Sequence, residues 1–201
     1  LSSKPTETVQ EVSAVNGTGI VLPSHFTERK ITDPSTARDA INDVADTLGI
    51  VSVEDELGTA DCSTVLGDTY YSFPQVYRGI PVYGRKVTVS ADADSEAALL
   101  TSGFYPIENL SVEAKITQND AEKIVAGLYP GEADIYVNNL VIFSLDKTNP
   151  ELAWKISVHQ NNSWESVFLS AVDGRALKTF SNELTDNESS SNRFTNVYLY
   201  N

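Results

Sequence analysis

Apolar residues recur at helical spacing in two places along the chain, and each time alternating, strand-like runs follow. The first helix is predicted to begin at Asp33-Pro34, because Asp is a good N-cap and Pro suits the first turn, and to end at Gly49. Such a one-sided helix must pack on another element, which we expect to be the sheet that follows it. The residues of its apolar face are Ala37, Ala40, Ile41, Val44, Ala45 and Leu48.

The second helix is predicted to begin after Thr117 as N-cap, with Asp120 at the capping-box position, and to end at Pro130-Gly131. Strands are then expected at 140–145, 152–158 and 164–172, with a last strand starting at Ala176. Turn signals separate the later strands, namely Asn161-Asn162 and Asp173-Gly174. The apolar face of this helix is Ala121, Ile124, Val125 and Leu128.

Between the helices, residues 73–89 read Phe-Pro-Gln-Val-Tyr-Arg-Gly-Ile-Pro-Val-Tyr-Gly-Arg-Lys-Val-Thr-Val. Gly79 and Gly84 suit positions that need a positive φ or a close backbone approach, and Pro81 belongs at a strand end or edge because it lacks an N–H. The pattern predicts two short strands joined around Gly79, Pro81 and Gly84. We interpret this turn as structural, although its exposed part could touch a partner.

The aromatic residues of the predicted sheets are interpreted as core rather than as a ligand platform. Five tyrosines form a stripe that we expect to be one wall of the core: Tyr70, Tyr71, Tyr77, Tyr83 and Tyr105. Trp154 and Trp164 lie in or beside predicted strands and are expected to pack in the second half. Residues 1–30 are predicted to be a leader that can add an edge strand, and residues 91–97 an acidic turn.

The charge composition of the chain indicates which kinds of binding partner are unfavourable. The formal net charge of the 201 residues is −14, from 28 acidic and 14 basic side chains, so nucleic acid and anionic membranes are poor partners. No apolar run approaches the roughly 20 residues that span a bilayer. The sequence starts at Leu1 and contains no Met, which indicates either removal of a signal peptide or a start within a longer polypeptide.

The sequence motifs of the common catalytic and metal-binding sites are missing. The two histidines, His25 and His159, are far apart, and no H-E-x-x-H, G-x-S-x-G or P-loop is present. Cys62 is the single cysteine and is interpreted as a small, semi-buried residue; its pairing with either histidine as a nucleophile stays open. Asp92 to Glu96 lacks the glycine and distal Glu of a calcium loop. We therefore assign no catalytic and no metal-binding residue.

Two segments resemble known families. The motif F-x-Q-x-Y-x-G-I-P-V-Y-G-x-x-V-x-V in residues 73–89 resembles the propeptide motif of the fungalysin and thermolysin families of secreted zinc proteases. The later half resembles the PepSY domain, which follows that motif in thermolysin-like precursors of the vibriolysin and bacillolysin type. Ser170 stands where the PepSY pattern has Asp. The PepSY resemblance rests on residues 117–121, 152–156 and 164–177.

The resemblances imply an α+β fold of two cystatin-like units, each a helix packed on an antiparallel sheet. The implied division is an N-terminal leader at 1–30, a propeptide-motif domain at 31–106, a PepSY-like domain at 107–184, and a linker with a C-terminal strand at 185–201. They imply the propeptide of a secreted thermolysin-like zinc metalloendopeptidase, exported through a signal peptide, which helps its catalytic domain to fold and then inhibits it. Zinc, and calcium beside it, are expected in that partner domain and not in this chain.

The end of the chain is strand-like and follows a linker rich in Ser, Asn and acidic residues. Tyr198, Leu199, Tyr200 and Asn201 could enter the protease cleft, where a carboxylate freed by cleavage would approach the zinc. The same residues could equally form a structural strand. A free-standing binding module or a separately encoded inhibitor is the alternative function, and an independent hydrolase fits the sequence worst.

Overall fold

The computed structural model describes residues 10–14, 17–145 and 148–181. They divide into two compact units. Unit 1 comprises the chain up to residue 112 together with 142–150, and unit 2 comprises 113–141 and the chain from 151 onward. Both units combine helices with strands, so the fold is α+β, as predicted. Within the described residues, no helix is long and apolar enough to cross a membrane.

In its described residues, unit 1 contains three helices and six complete strands. The helices are α1 (Pro34–Asp43), α2 (Ala45–Leu48) and α3 (Val53–Glu56). The strands are β1 (Gln10–Ala14), β2 (Gly17–Leu22), β3 (Asp61–Val65), β4 (Asp68–Tyr77), β5 (Ile80–Ala91) and β6 (Ala97–Ser102). The pairings among these six strands are antiparallel, in the order β1-β2-β6-β5-β4-β3. The N-terminal residues thus add two strands to the sheet, one more than expected.

The first helix starts where the sequence predicts. Asp33 is its N-cap, its carboxylate accepts from the Thr36 N–H at 2.8 Å, and the Thr36 hydroxyl closes a capping box. The prediction of one continuous helix to Gly49 was wrong, because the backbone leaves helical geometry at Val44. The short helix α2 follows and is capped by Gly49, which has a φ of 73°. Val44 and Leu48 are both buried in the core of unit 1.

The described part of unit 2 consists of one helix and a sheet. The helix is α4 (Gln118–Leu128), and the strands, in sheet order, are β7 (Asp134–Phe143), β8 (Glu151–Gln160), β9 (Ser163–Ser170) and β10 (Ala176–Ser181). The last two residues of β7 belong to unit 1, where Ile142 pairs in parallel with Val82. The core of unit 2 lies between α4 and the sheet and contains Ala121, Val125, Ile156, Val158, Val167 and Leu169.

Two details of the second half differ from the prediction. Leu128 was assigned to the apolar face of α4, but it is exposed at the last position of the helix. Strand β7 starts at Asp134 rather than at residue 140, because Ile135 and Val137 pack on the core while Tyr136 between them is exposed. At the start of α4, Thr117 caps the Asp120 N–H as predicted, and the Asp120 carboxylate accepts from the Thr117 hydroxyl.

Candidate functional site

The motif of residues 73–89 folds into a hairpin formed by β4, β5 and the turn between them, which we call the motif hairpin. Its turn is Arg78-Gly79, where both φ angles are positive, 48° and 80°, as a type I′ turn requires. The prediction that Gly79, Pro81 and Gly84 together join the strands was wrong. Pro81 is the second residue of β5 and pairs with Val76, which agrees with its expected place at a strand end.

Gly84 lies inside β5, in a bulge. The ladder passes from the pair Pro74–Lys86 to the pair Val76–Pro81, so the residues between 81 and 86 bulge opposite Gln75. Gly84 has a φ of 68°, and a Cβ built there would meet no atom within 4 Å. The glycine is therefore needed for its backbone angle and not for a close approach.

Gln75 lies opposite the bulge on β4 and bonds to the segment that follows β6. Its side chain is 2% exposed; its amide donates to the Tyr105 carbonyl at 2.7 Å, and its carbonyl accepts from the Tyr105 N–H at 3.3 Å. The Arg85 guanidinium lies 5.4 Å from the centre of the Tyr105 ring. The hydroxyl of Tyr77 accepts from the Leu110 N–H at 3.2 Å. The polar letters of the motif thus attach the hairpin to the segment that follows β6.

Arg38 of α1 holds the opposite side of the meander. Its guanidinium donates to the carbonyls of Val53, Leu57 and Gly58, at distances of 2.6 to 3.2 Å, and lies 5.0 Å from the centre of the Phe73 ring. Neither the sequence pattern nor the resemblance indicated this arginine, because its carbonyl partners come together only after α3 has formed. The motif hairpin thus contacts α1 through Phe73 and the segment after β6 through Gln75 and Tyr77.

The predicted tyrosine stripe is only partly a core wall. Tyr71 and Tyr105 are buried, while Tyr70, Tyr77 and Tyr83 are intermediate in exposure. Burial raises the pKa of Tyr83 and of Tyr71 above the ordinary value. The rings line the meander at graded depth, and no face of stacked, open tyrosines is formed by these five.

Trp164 was expected in the core, but it is 40% exposed. Its indole stacks on the rings of Tyr136 and His159, with centroids 5.8 Å and 4.8 Å away. His159 also lies 3.4 Å from a carboxylate oxygen of Asp134. Trp154, by contrast, packs against the unit 2 core, and its indole N–H donates to the Ile116 carbonyl at 2.9 Å.

Burial shifts the pKa of two side chains of unit 2, Tyr129 and Lys155. Burial, with a hydrogen bond to Glu165, raises the pKa of Tyr129 to about 12, and burial lowers the pKa of Lys155. In the described part of the chain, no three His, Cys, Asp or Glu side chains gather as a metal site would need. Cys62 lies exposed on β3, so its expected semi-buried position was wrong.

The predicted partner-binding residues Tyr198, Leu199, Tyr200 and Asn201 lie outside the described residues. The exposed surface of unit 1 includes a different strand-like feature. All five side chains of β3 are exposed, Val65 at its end among them, and so is Leu66 in the loop of the β3–β4 hairpin.

Comparison with known proteins identifies the segment that contains the motif hairpin. Residues 62–104 match the Fungalysin/Thermolysin Propeptide Motif, so the match runs from β3 through β6 and includes Gln75 and the bulge. No curated protein matches the chain. Among solved structures, the chain is similar to the Bacillus megaterium YpeB C-terminal domain, with 13% identity over 89% of this chain and 90% of that one and a TM-score of 0.41. The chain thus carries a propeptide motif of fungalysin- and thermolysin-type proteases.

Proposed function

We propose that this chain is the propeptide of a secreted thermolysin-like zinc metalloendopeptidase, and that it assists the folding of the catalytic domain and then inhibits it. The observation that carries the proposal is the propeptide motif at residues 62–104. Its motif residues are engaged in the hydrogen bonds of Gln75 and Tyr77 that fix the motif hairpin. A hairpin hydrogen-bonded to the rest of unit 1 can present a defined surface to a partner.

The folding role follows from kinetic stability. A secreted protease that resists unfolding has a high barrier between its folded and unfolded states, and that barrier slows folding as well. A partner that binds the folding transition state lowers the barrier without catalytic residues of its own. In this proposal residues 31–106 and 107–184 are two cystatin-like units, the second PepSY-like, because each unit packs a helix on a largely antiparallel sheet.

The inhibitory role is assigned to the end of the chain. After cleavage, the carboxylate of Asn201 would approach the zinc of the catalytic domain, and Tyr198, Leu199 and Tyr200 would fill its substrate subsites. Zinc and calcium belong to that partner domain in this proposal. The net charge of −14 favours a protein partner with a cationic or metal-bearing face over nucleic acid or an anionic membrane.

The testing experiment uses the cognate catalytic domain, purified and active. The chain is expected to inhibit it tightly with slow release, and to raise the yield of active enzyme when added to the denatured domain during refolding. If the chain neither inhibits the catalytic domain nor improves its refolding, the propeptide proposal is overturned. A free-standing binding module would then be the better interpretation. Continuation of the gene into an H-E-x-x-H region would support the propeptide over a separately encoded inhibitor.

The tail proposal is tested separately by deletion of residues 192–201. The deletion is expected to raise the inhibition constant at least a hundredfold, while the shortened chain still improves refolding. An unchanged inhibition constant would remove the tail from the mechanism and leave the folding role intact.

A further inference from the structure

The hairpin β3–β4 defines which backbone groups of β3 point away from the sheet. A two-residue loop, Leu66-Gly67, joins the strands, and its φ angles of 54° and 96° are those of a type I′ turn. The pair that flanks the loop is Val65 and Asp68. In such a hairpin the flanking pair is hydrogen-bonded, and bonded and non-bonded pairs then alternate along the ladder.

By this alternation, Asp61, Ser63 and Val65 bond to β4, and Cys62 and Thr64 direct their N–H and C=O groups outward. The hydroxyls of Thr64 and Thr69 support this assignment, because they lie 3.3 Å apart, as the closer side chains of a non-bonded pair allow. Among the described residues, β4 is the one strand that pairs with β3. We call the outward groups of Cys62 and Thr64 the β3 edge.

The β3 edge lacks the features that usually protect an outer strand. Lysine, proline and bulges are common protection, but β3 reads Asp-Cys-Ser-Thr-Val and pairs with β4 without a register shift. By contrast β10, at the end of the unit 2 sheet, carries Lys178 and a register irregularity. The exposed Val65 and Leu66 add apolar surface beside the β3 edge.

We propose that the β3 edge binds an extended strand of the protease catalytic domain, which continues the unit 1 sheet by backbone hydrogen bonds. The inference rests on the proposed function, since the propeptide motif, which starts at Cys62, indicates association with such a domain. Each copy of the chain carries a net charge of −14, which opposes pairing with a second copy. The strand that fits is therefore free of acidic side chains, and presents a basic residue near Asp61 and an apolar one near Leu66.

Proline and serine substitutions at the two outward positions separate the backbone from the side chain. Cys62→Pro and Thr64→Pro each remove one outward N–H and keep the bonds to β4, whereas Cys62→Ser and Thr64→Ser keep the N–H. Calorimetric titration with the cognate catalytic domain is expected to show at least a tenfold increase in Kd for each proline variant. The serine variants are expected to stay within twofold of the parent chain. Equal Kd values for proline and serine variants would overturn the inference.

A second measurement needs no substitution and covers the case in which a proline variant fails to fold. Amide hydrogen exchange of Cys62 and Thr64 is expected to be fast in the free chain and at least tenfold slower in the complex, while Ser63 and Val65 are protected in both. Fast exchange at Cys62 and Thr64 in a tight complex would overturn this inference and spare the proposed function. Protection that rises with the concentration of the chain alone would assign the β3 edge to a second copy and also overturn it. If the chain does not bind the catalytic domain at all, both the inference about the β3 edge and the proposed function are overturned.

Discussion

Replacement of Gln75 by leucine tests whether its side-chain amide fixes the bulge of the motif hairpin. Leucine keeps most of the buried volume but removes the two hydrogen bonds to the Tyr105 backbone, of 2.7 Å and 3.3 Å. Each such bond is worth about 1 kcal/mol net, and a buried backbone group left without it costs about 1–3 kcal/mol. Because the side chain is 2% exposed, water cannot replace the lost amide without opening the site. We expect unit 1 to lose about 2–4 kcal/mol.

The assay is urea unfolding followed by near-ultraviolet circular dichroism of tyrosine, with tryptophan fluorescence recorded in parallel. Both tryptophans, Trp154 and Trp164, belong to unit 2, so fluorescence reports that unit separately. At a slope of about 2 kcal/mol per molar urea, the expected loss lowers the midpoint of unit 1 by about 1–2 M. The matched control is Gln118→Leu, since that exposed amide also donates to a backbone carbonyl, that of Val137.

The control is expected to change the midpoint by less than about 0.3 M, because an exposed hydrogen bond exchanges with water at little cost. If Gln75→Leu moves the unit 1 midpoint no further than Gln118→Leu moves that of unit 2, the amide of Gln75 does not fix the bulge. The role assigned to this letter of the motif would then be wrong.

Three further predictions concern glycine, acid and alkali. Gly84→Ala is expected to destabilise the chain by about 1 kcal/mol, because alanine disfavours a φ of 68°. Gly127→Ala, in the helix α4, is expected to stabilise it by up to about 1 kcal/mol. Thermal unfolding of both variants measures this, and a change of Tm in the same direction for the two would contradict it. The hydrogen bond from Arg29 lowers the pKa of Asp43, so the stability that this carboxylate adds is present above the ordinary value near 4 and is lost as the pH falls through the lower folded-state pKa. Asp43→Asn is thus expected to lower Tm at pH 7 and to leave it nearly unchanged at pH 2.5; an equal loss at both pH values would refute the ion pair as the cause. Tyr129, with a pKa of about 12, is expected to ionise last among the tyrosines in a spectrophotometric titration. The stability that its raised pKa contributes is complete below about pH 10 and is lost as the pH rises through 12. In the variant Tyr129→Phe the absorbance change near pH 12 is expected to disappear, and its persistence would contradict the assignment.

The molecular charge is a global property that the sequence alone supplies, and it bears on partner choice in a way that the fold does not change. A net charge of −14 acts over the whole surface, whatever the positions of the individual carboxylates. Where those carboxylates pair is a matter of tertiary structure. Arg175, for example, donates to both oxygens of Glu151, 24 positions earlier, at 2.6 and 2.7 Å, a partnership that no local pattern indicated.

Features that depend on short stretches of backbone were determined by the sequence. The caps of Asp33 and Thr117, the left-handed Gly49 and the paired positive φ angles of Asn161 and Asn162 all agree with the prediction. Each of these is decided by a side chain and the backbone within four residues of it, so the local energy is readable from the chain. The motif of residues 73–89 was recognised for the same reason, as a fixed order of letters.

Features that depend on distant partners were decided by the tertiary structure alone. Gln75, opposite the bulge at Gly84, bonds to Tyr105, 30 positions later, and Val44 and Leu48 at the helix break are both buried in the core of unit 1. Trp164 stays exposed because its place on β9 faces Tyr136 and His159 rather than the core. That β3 is an outer strand with unpaired backbone groups likewise follows from the order of the strands in the sheet and not from the sequence of β3. Periodicity shows which residues are apolar, but the partners that cover them, or leave them open, are set by contacts between distant segments.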